Sequence, residues 1–340
     1  MTTGATHKPA ALIDLVTRAL VASSTSPENA AAVARALVAA EIDGQKGHGL
    51  SRVAAYAAQA RSGKVDGHAV PRLHRARTAS MMIDVANGFT YPAFELALAE
   101  LPGVARQTGI AAVGFTRSHH AGALGLVVER IAEAGLLALM VTNSPQAMAA
   151  WGGTRGLFGT NPIAFAAPRP DREPLVIDLA LSQVARGKIM TAAQKGDPIP
   201  EGWANDAEGN PTTDAAAALK GTLTPIGGSK GAALALMVEL MAAALTGANL
   251  AFQASSFFDA DGPPPGIGQF LIAIDPAAFG GEQAFAERLE SLAGEIDADG
   301  AARLPGTRRL ALREAARRDG VFVKDAMFAQ LQQIAAPGTA

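Results

Sequence analysis

Apolar residues in the first seventy positions recur at helical spacing. Ala11-Leu12-Ile13-Asp14-Leu15-Val16 opens one such pattern. Ser26-Pro27-Glu28 then combines an N-cap hydroxyl, a proline suited to the first helical turn and an acid near the positive end of the helix dipole. The spacing predicts a helix from there through Ala40, stopping at Asp43-Gly44. The next helix runs out among Gly63, Gly67 and Pro71.

Strand and helix patterns then alternate. Met81–Val85, Ile110–Phe115, Leu136–Val141, Pro162–Ala166, Leu175–Asp178 and Phe270–Ile274 read as strands. Pro92–Ala105, Gly122–Ala134 and Ala232–Leu245 read as helices. The alternation argues an α/β core with at least partly parallel pairing. Asp259–Gly266 is too rich in Gly, Pro and Asp for anything but a loop. Leu310–Ile334 reads as one amphipathic packing helix.

Composition narrows the function classes. Of 340 residues 49% are hydrophobic and 18% charged, so the chain can bury a sizeable core. Lys plus Arg number 29 against 31 for Asp plus Glu, which leaves no global field to attract nucleic acid or an anionic membrane. Aromatic residues at 5% are too few for a base-stacking platform. The absence of cysteine removes disulfides and thiolate chemistry. With no apolar signal core in Met1–Lys8, and with Glu239 breaking the apolar run Ala232–Ala251, the expectation is a soluble cytoplasmic protein.

Several familiar motifs fail. No Gly-x-Gly-x-x-Gly fingerprint and no Walker A sequence occurs. Gly227-Gly228-Ser229-Lys230-Gly231 fits a nucleophile elbow, but no histidine follows it in the chain. His119 and His120 are adjacent, so on a regular backbone their rings diverge, and no metal site is expected.

The chemistry-bearing stretch is Lys46-Gly47-His48-Gly49-Leu50-Ser51-Arg52. It sets an imidazole between two glycines, with a carboxylate-gripping guanidinium about one helical turn away. Glycine-rich turns follow at Ser118–Leu124, Gly152–Pro162, Gly227–Gly231 and Leu304–Arg309. Each suits close approach of an anion to the backbone or a helix start. Four of them beside a histidine–arginine loop point to an extended phosphorylated cofactor.

Gly47–Arg52, Gly159-Thr160-Asn161-Pro162, Ile177–Ala180 with Ala185–Lys188, Ile199–Ala204 and Gly227–Gly231 occur in this order. Together they resemble the malate/L-lactate dehydrogenase family, which includes the Δ1-piperideine-2-carboxylate and Δ1-pyrroline-2-carboxylate reductases. The likeness extends from about Leu12 to Arg309. It implies an α/β fold with a non-Rossmann, NAD(P)-binding mixed-sheet core over 76–309. A helical substrate-side region over 1–75 plus 310–340 would pack beside that core.

By the same resemblance His48 is the proton donor, and Arg52 and Thr160 contact the substrate. The cofactor lies along His120, Ala121, Gly122, Ala123 and Leu124, then Asp178, Leu179 and Ala180, then Arg186, Gly187 and Ser229. It ends on Leu304, Pro305, Gly306, Thr307, Arg308 and Arg309. NADPH is expected ahead of NADH, because Arg186, Arg308 and Arg309 are available for a 2′-phosphate. The partners expected are a small carboxylate substrate and a second copy of the chain.

Two positions depart from relatives: Gly47, where many carry serine, and Lys188, where some imine reductases place an acidic relay residue. Gly47 and Trp151 favour reduction of a cyclic imino acid to L-proline or L-pipecolate, through an acid with a near-neutral pKa. A 2-hydroxy acid dehydrogenase acting on malate, lactate, ureidoglycolate or sulfolactate is the alternative, with Lys46 or Lys188 as a second cation. A binding protein without catalysis is a third reading, opposed by the intact His48 and Arg52.

Overall fold

The computed structural model describes residues 3–336. Residues 1–2 and 337–340, the outer ends of the expected helical region, lie outside the described residues.

The N-terminal patterns fold as their spacing predicts. Helices occupy Pro9–Val21, Pro27–Ile42 and Val53–Ser62. Ser26 caps the second, its Oγ accepting the Asn29 N–H at 3.3 Å. This helix turns Ala30, Val33, Ala34, Leu37 and Val38 into the core. Asp43 terminates it and delivers the chain to the His48 loop.

A seven-stranded sheet forms the centre. Its order is Arg72–Arg77, Ser80–Asp84, Ile110–Ser118, Ile267–Ile274, Leu137–Thr142, Ile163–Ala167 and Leu175–Leu179. Only Ser80–Asp84 and Ile110–Ser118 pair in parallel; helix Thr90–Thr108 makes the crossover between them. Every other neighbour is antiparallel. The mixed sheet is therefore as expected, with one parallel pair. The strand pattern conceals this because Ile267–Ile274 returns from late in the chain and inserts between Ile110–Ser118 and Leu137–Thr142.

A second, five-stranded sheet of short strands is built within residues 148–223. It carries its own apolar cluster, including Met148, Phe158, Leu181, Ile189 and Val238. The N-terminal helices share the other cluster with the central sheet.

The C-terminal reading needs correction. Residues 310–334 are not one helix but two, Thr307–Asp319 and Asp325–Ala335, separated by the strand Val321–Lys324. Gly320, at φ +86°, ends the first helix in a conformation that β-carbon residues avoid. The strand then pairs antiparallel with Gly4–His7, from the opposite end of the described chain, a partner that no local pattern announces. The apolar helix after Gly228 runs Ser229–Glu239 and continues as a π-helical turn over Leu240–Ala244. No helix is long and apolar enough to cross a membrane among the described residues.

Candidate active site

Two tight 3-10 turns, Lys46–His48 and Leu50–Arg52, feed helix Val53–Ser62. Of the two glycines around His48, only Gly49 is sterically required: a β-carbon there would overlap Glu41, whose Oε2 accepts the Leu50 N–H at 3.0 Å. A β-carbon at Gly47 would meet nothing. The loop is braced internally by Ser51 Oγ donating to the Lys46 carbonyl at 2.6 Å.

Arg52 donates from Nε to the Gly47 carbonyl at 2.7 Å and lies 4.7 Å from the centre of the Phe258 ring. It forms no salt bridge with a carboxylate among the described residues, and its buried Nη1 has no partner. One face of this guanidinium is thus held while its outer edge stays free for an anion.

His48 stacks on His120, ring centres 5.2 Å apart and planes at 16°. The His48 Nδ1 is buried without a hydrogen-bond partner. Loss of hydration, reinforced by the Arg52 charge, lowers the His48 pKa to about 4. The ring is neutral at pH 7, which corrects the expected near-neutral acid.

His119 and His120 do not part to opposite sides, because residues 119–123 are neither helix nor strand. Both rings lie against Tyr56 and Phe257. His120 Nδ1 is 2.6 Å from the Tyr56 hydroxyl, and His119 Nε2 is 2.8 Å from Gln59 Oε1. Burial holds His119 near pKa 3 and His120 well below its ordinary value. Phe257 and Phe258 are held in place by Lys64, whose fully buried ammonium donates to the Ser256 and Asp261 carbonyls and to Asp259 Oδ1.

Sequence reasoning missed Tyr56, Gln59, Lys64, Phe257 and Phe258. Arg52, Tyr56 and Gln59 form an i, i+4, i+7 polar stripe on an otherwise alanine-rich helix, a signal that was available. Nothing local ties Lys64 to a loop 192 residues away.

The glycine turns divide into open and closed ones. Helix Gly125–Glu133 does not offer free N–H groups: Gly125 donates to Asp178 Oδ2 at 2.8 Å, and Leu126 and Val127 donate to Ala123 and Leu124 carbonyls. Burial raises the Asp178 pKa, opposed by that N–H and by the nearby Gln45 amide and Arg309. Ala121, Ala123 and Leu124 are buried, and Gly122 backs onto Tyr91 at φ +66°. Leu179 is exposed and Ala180 half-buried at the end of the strand carrying Asp178.

Helices Ser229–Glu239 and Thr307–Asp319 are open. Their first backbone bonds come from Ala232 to Gly228 and from Leu310 to Gly306, so the N–H groups of Ser229–Gly231 and of Thr307–Arg309 precede them. Thr307 Oγ1 closes its turn on the Leu304 carbonyl, with Pro305 exposed between them. Gly306 packs toward the Val176 carbonyl, which brings this turn to the Asp178 strand.

The three arginines proposed for a 2′-phosphate differ. Arg309 pairs with Glu129 at 2.6 Å, although its buried Nη2 remains unpartnered. Arg186 donates to the Leu219 carbonyl at 3.1 Å beside the exposed Gly187. Arg308 is exposed and forms no ion pair among the described residues.

Thr160 sits in the second apolar unit, its N–H bonded to Ser144 Oγ and its carbonyl to the Leu181 N–H. The neighbouring Asn161 and Asn143 both donate to Glu239, which is buried within the apolar run that suggested a core helix. A groove of about 1130 Å³ bordered by Arg106, Glu133, Arg169 and Phe285 involves none of the candidate residues.

Comparison with known proteins decides the lineage. Residues 7–332 match the family model described as malate/L-lactate dehydrogenase. The chain belongs to the malate/L-lactate dehydrogenase family. It is accordingly an oxidoreductase with that family's mixed α/β fold. It is 50% identical over 299 residues to the (2R)-3-sulfolactate dehydrogenase (NADP(+)) of Chromohalobacter salexigens, covering 88% of this chain and 89% of that one. It is 42% identical to the Δ1-pyrroline-2-carboxylate/Δ1-piperideine-2-carboxylate reductase of Pseudomonas syringae pv. tomato, covering 95% and 94%. The crystal structure of the Δ1-piperideine-2-carboxylate reductase from that organism superimposes with a TM-score of 0.92 at 41% identity, covering 97% of this chain and 99% of that one.

Proposed function

We propose that the protein interconverts a small 2-hydroxy acid and its 2-oxo acid with NADP, the substrate carrying a second anionic group as sulfolactate does. The observation that carries this is the placement in one loop of the His48 imidazole and a guanidinium with a free, buried edge, where burial and the Arg52 charge favour the neutral ring. A neutral imidazole is a base for a hydroxyl proton. The 50% identity to a sulfolactate dehydrogenase supports the substrate class.

The residues fit a nicotinamide dinucleotide. Open helix starts with Lys230 and Arg308 beside them suit its phosphates, and the unpartnered Gln45 Oε1 and Arg309 Nη2 lie near Asp178. Ala121–Leu124, Asp178–Ala180, Arg186-Gly187, Ser229 and Leu304–Arg309 would line it. When bound, it supplies or accepts the hydride at substrate C2. Arg52 grips the substrate carboxylate and fixes which face of C2 is presented. His48 takes the hydroxyl proton during oxidation and returns it during reduction. The carboxylate's negative charge offsets Arg52 and makes that proton easier for His48 to hold. Thr160 contributes a further polar contact from the second unit.

The division into a helical substrate-side region (1–75 plus 310–340) and a cofactor core (76–309) belongs to this reading. So does a homodimer. Helix Ser229–Glu239 and its continuation expose Leu234, Leu236, Met237, Leu240 and Leu245 without an intervening exposed charge, a face suited to a second copy.

Cyclic imine reduction is the second reading, favoured by the close superposition on the piperideine-2-carboxylate reductase. It stands second because the imine is reduced as its protonated cation, which would sit beside the Arg52 charge. One experiment separates the two. Purified protein is given NADPH or NADH with 3-sulfopyruvate, oxaloacetate, pyruvate and the two cyclic imines. NADPH oxidation with the oxo acids supports the first reading, and oxidation with the imines alone replaces it by the second.

A further inference from the structure

Helix Val53–Ser62 fixes both histidines that follow the strand Ile110–Ser118. Gln59 donates from Nε2 to the Asp259 carbonyl at 2.8 Å, which turns its Oε1 toward His119 Nε2. His119 therefore carries its proton on Nε2. Tyr56, one turn earlier on the same face, does the corresponding work for His120, and there the proton placement has a consequence.

The Tyr56 hydroxyl lies 2.6 Å from His120 Nδ1 and 3.1 Å from the Tyr91 hydroxyl. Three arrangements satisfy the distances, and one of them, with both His120 and Tyr91 donating to Tyr56, leaves the buried Tyr56 O–H without an acceptor. In a second, Tyr91 donates to Tyr56 and Tyr56 donates to His120, so both hydroxyl protons are used. In the reverse order His120 donates to Tyr56, Tyr56 donates to Tyr91, and the buried Tyr91 O–H is left with no acceptor. Buried donors are seldom left so. The 2.6 Å separation also suits an O–H donor better than an N–H donor. His120 is buried among Arg52, His48 and His119, which disfavours a second proton on the ring. Its single proton then sits on Nε2.

Among the described residues no group pairs with that Nε2, and it is not among the buried unpartnered atoms. The ring that carries it is 8% exposed and lies parallel to the His48 ring.

We infer that Tyr56 is a positioning residue that locks His120 in the Nε2–H tautomer, so that His120 offers a fixed, neutral hydrogen bond to the substrate oxygen next to His48. The role rests on the oxo-acid reading above. As hydride reaches C2, the carbonyl π pair moves onto oxygen. His48 delivers the proton to that oxygen, while His120 keeps its own and stabilises the developing charge without competing for it.

The test begins with the tautomer, read in the protein without substrate. In ¹⁵N-histidine-labelled protein, long-range ¹H–¹⁵N correlations distinguish the two tautomers, and the His120 signals are those lost in His120→Gln. Expected is the Nε2–H pattern in the wild type and a mixture of tautomers in Tyr56→Phe. With the oxo acid that the assay above identifies, Tyr56→Phe lowers kcat roughly tenfold with little change in KM for NADPH. His120→Gln, whose amide N–H reaches the position of Nε2, retains more activity than His120→Phe. A wild-type Nδ1–H pattern overturns the inference whatever Tyr56→Phe does, as does a Tyr56→Phe variant with unchanged tautomer and kcat. Because the tautomer needs no substrate, failure of the oxo-acid assay is told apart from failure of this inference.

Discussion

Two arginine sites in this molecule resemble each other in sequence and differ in what they can do. Arg52 is held by a backbone carbonyl and an aromatic ring, and no carboxylate neutralises it among the described residues. Arg309 and Arg313 meet Asp43 and Glu129, carboxylates only 2% and 4% exposed, with Arg313 bonded to both at 2.6 Å. Those carboxylates, from the end of helix Pro27–Ile42 and from helix Gly125–Glu133, tie the C-terminal helix Thr307–Asp319 to the rest of the fold. Arg313, balanced by two buried acids, is structural, whereas Arg52, held without balancing its charge, is available to a ligand; Arg309 keeps one free nitrogen, Nη2, beside its ion pair. The same distinction separates the closed helix start at Gly125, occupied by Asp178, from the open ones at Ser229 and Thr307.

Substitutions at the two arginine sites should fail in different ways. His48→Ala should lower kcat by about 10²–10⁴-fold while leaving the melting temperature near its wild-type value, as steady-state kinetics and calorimetry would report. Glu129→Ala should do the opposite. Leaving Arg309 and Arg313 short of a partner should cost about 3–5 kcal/mol in a denaturant titration, with KM for the acid unchanged. If KM for the acid rose instead, Arg309 and Arg313 would act on the substrate and not only on the fold and the cofactor turn.

The pH profile sharpens the catalytic half. His48 accepts a proton only when neutral, and its pKa is lowered to about 4. The rate constant kcat/KM for hydroxy-acid oxidation should therefore hold as pH falls from 7 to 5 and drop only near 4. A histidine at the ordinary value of about 6.5 would already have lost roughly 30-fold by pH 5. Arg52→Lys keeps the charge and loses the planar fork, so kcat/KM should fall about tenfold or more, chiefly through KM for the acid. The smallest effect belongs to Arg308→Ala, which should weaken NADPH by several-fold, up to about tenfold, with little change for NADH. Equal losses for both cofactors would remove Arg308 from the 2′-phosphate.

Where structure depended on neighbours in sequence, the chain was legible. Ser26-Pro27-Glu28 announced a helix start, and the apolar periodicity located the main strands and helices to within a few residues. The Gly47–Arg52 stretch, met as sequence, already contained the imidazole and the guanidinium, and their spacing alone suggested a shared ligand. Glu239 is buried against Asn143 and Asn161, but the helix expected to be buried leaves Leu234, Leu236, Met237 and Leu240 exposed, so its apolar run is covered on one face only.

Tertiary structure decided everything that depends on which distant groups meet. Strand Ile267–Ile274 inserts into the middle of the sheet, and Val321–Lys324 pairs with the N-terminus, because sheet hydrogen bonds impose no limit on sequence separation. The same holds for charge. Whether an arginine is free or neutralised, and whether a histidine is an acid or a base at pH 7, depends on the carboxylates and the water near it. Neither is written in the residue's own neighbourhood: Arg52 lies against Phe258 and His48 against His120, while Glu129 reaches Arg313 across 184 residues. Local sequence fixes backbone preference within a few residues, but hydration and electrostatic environment are set only when the chain has closed around them.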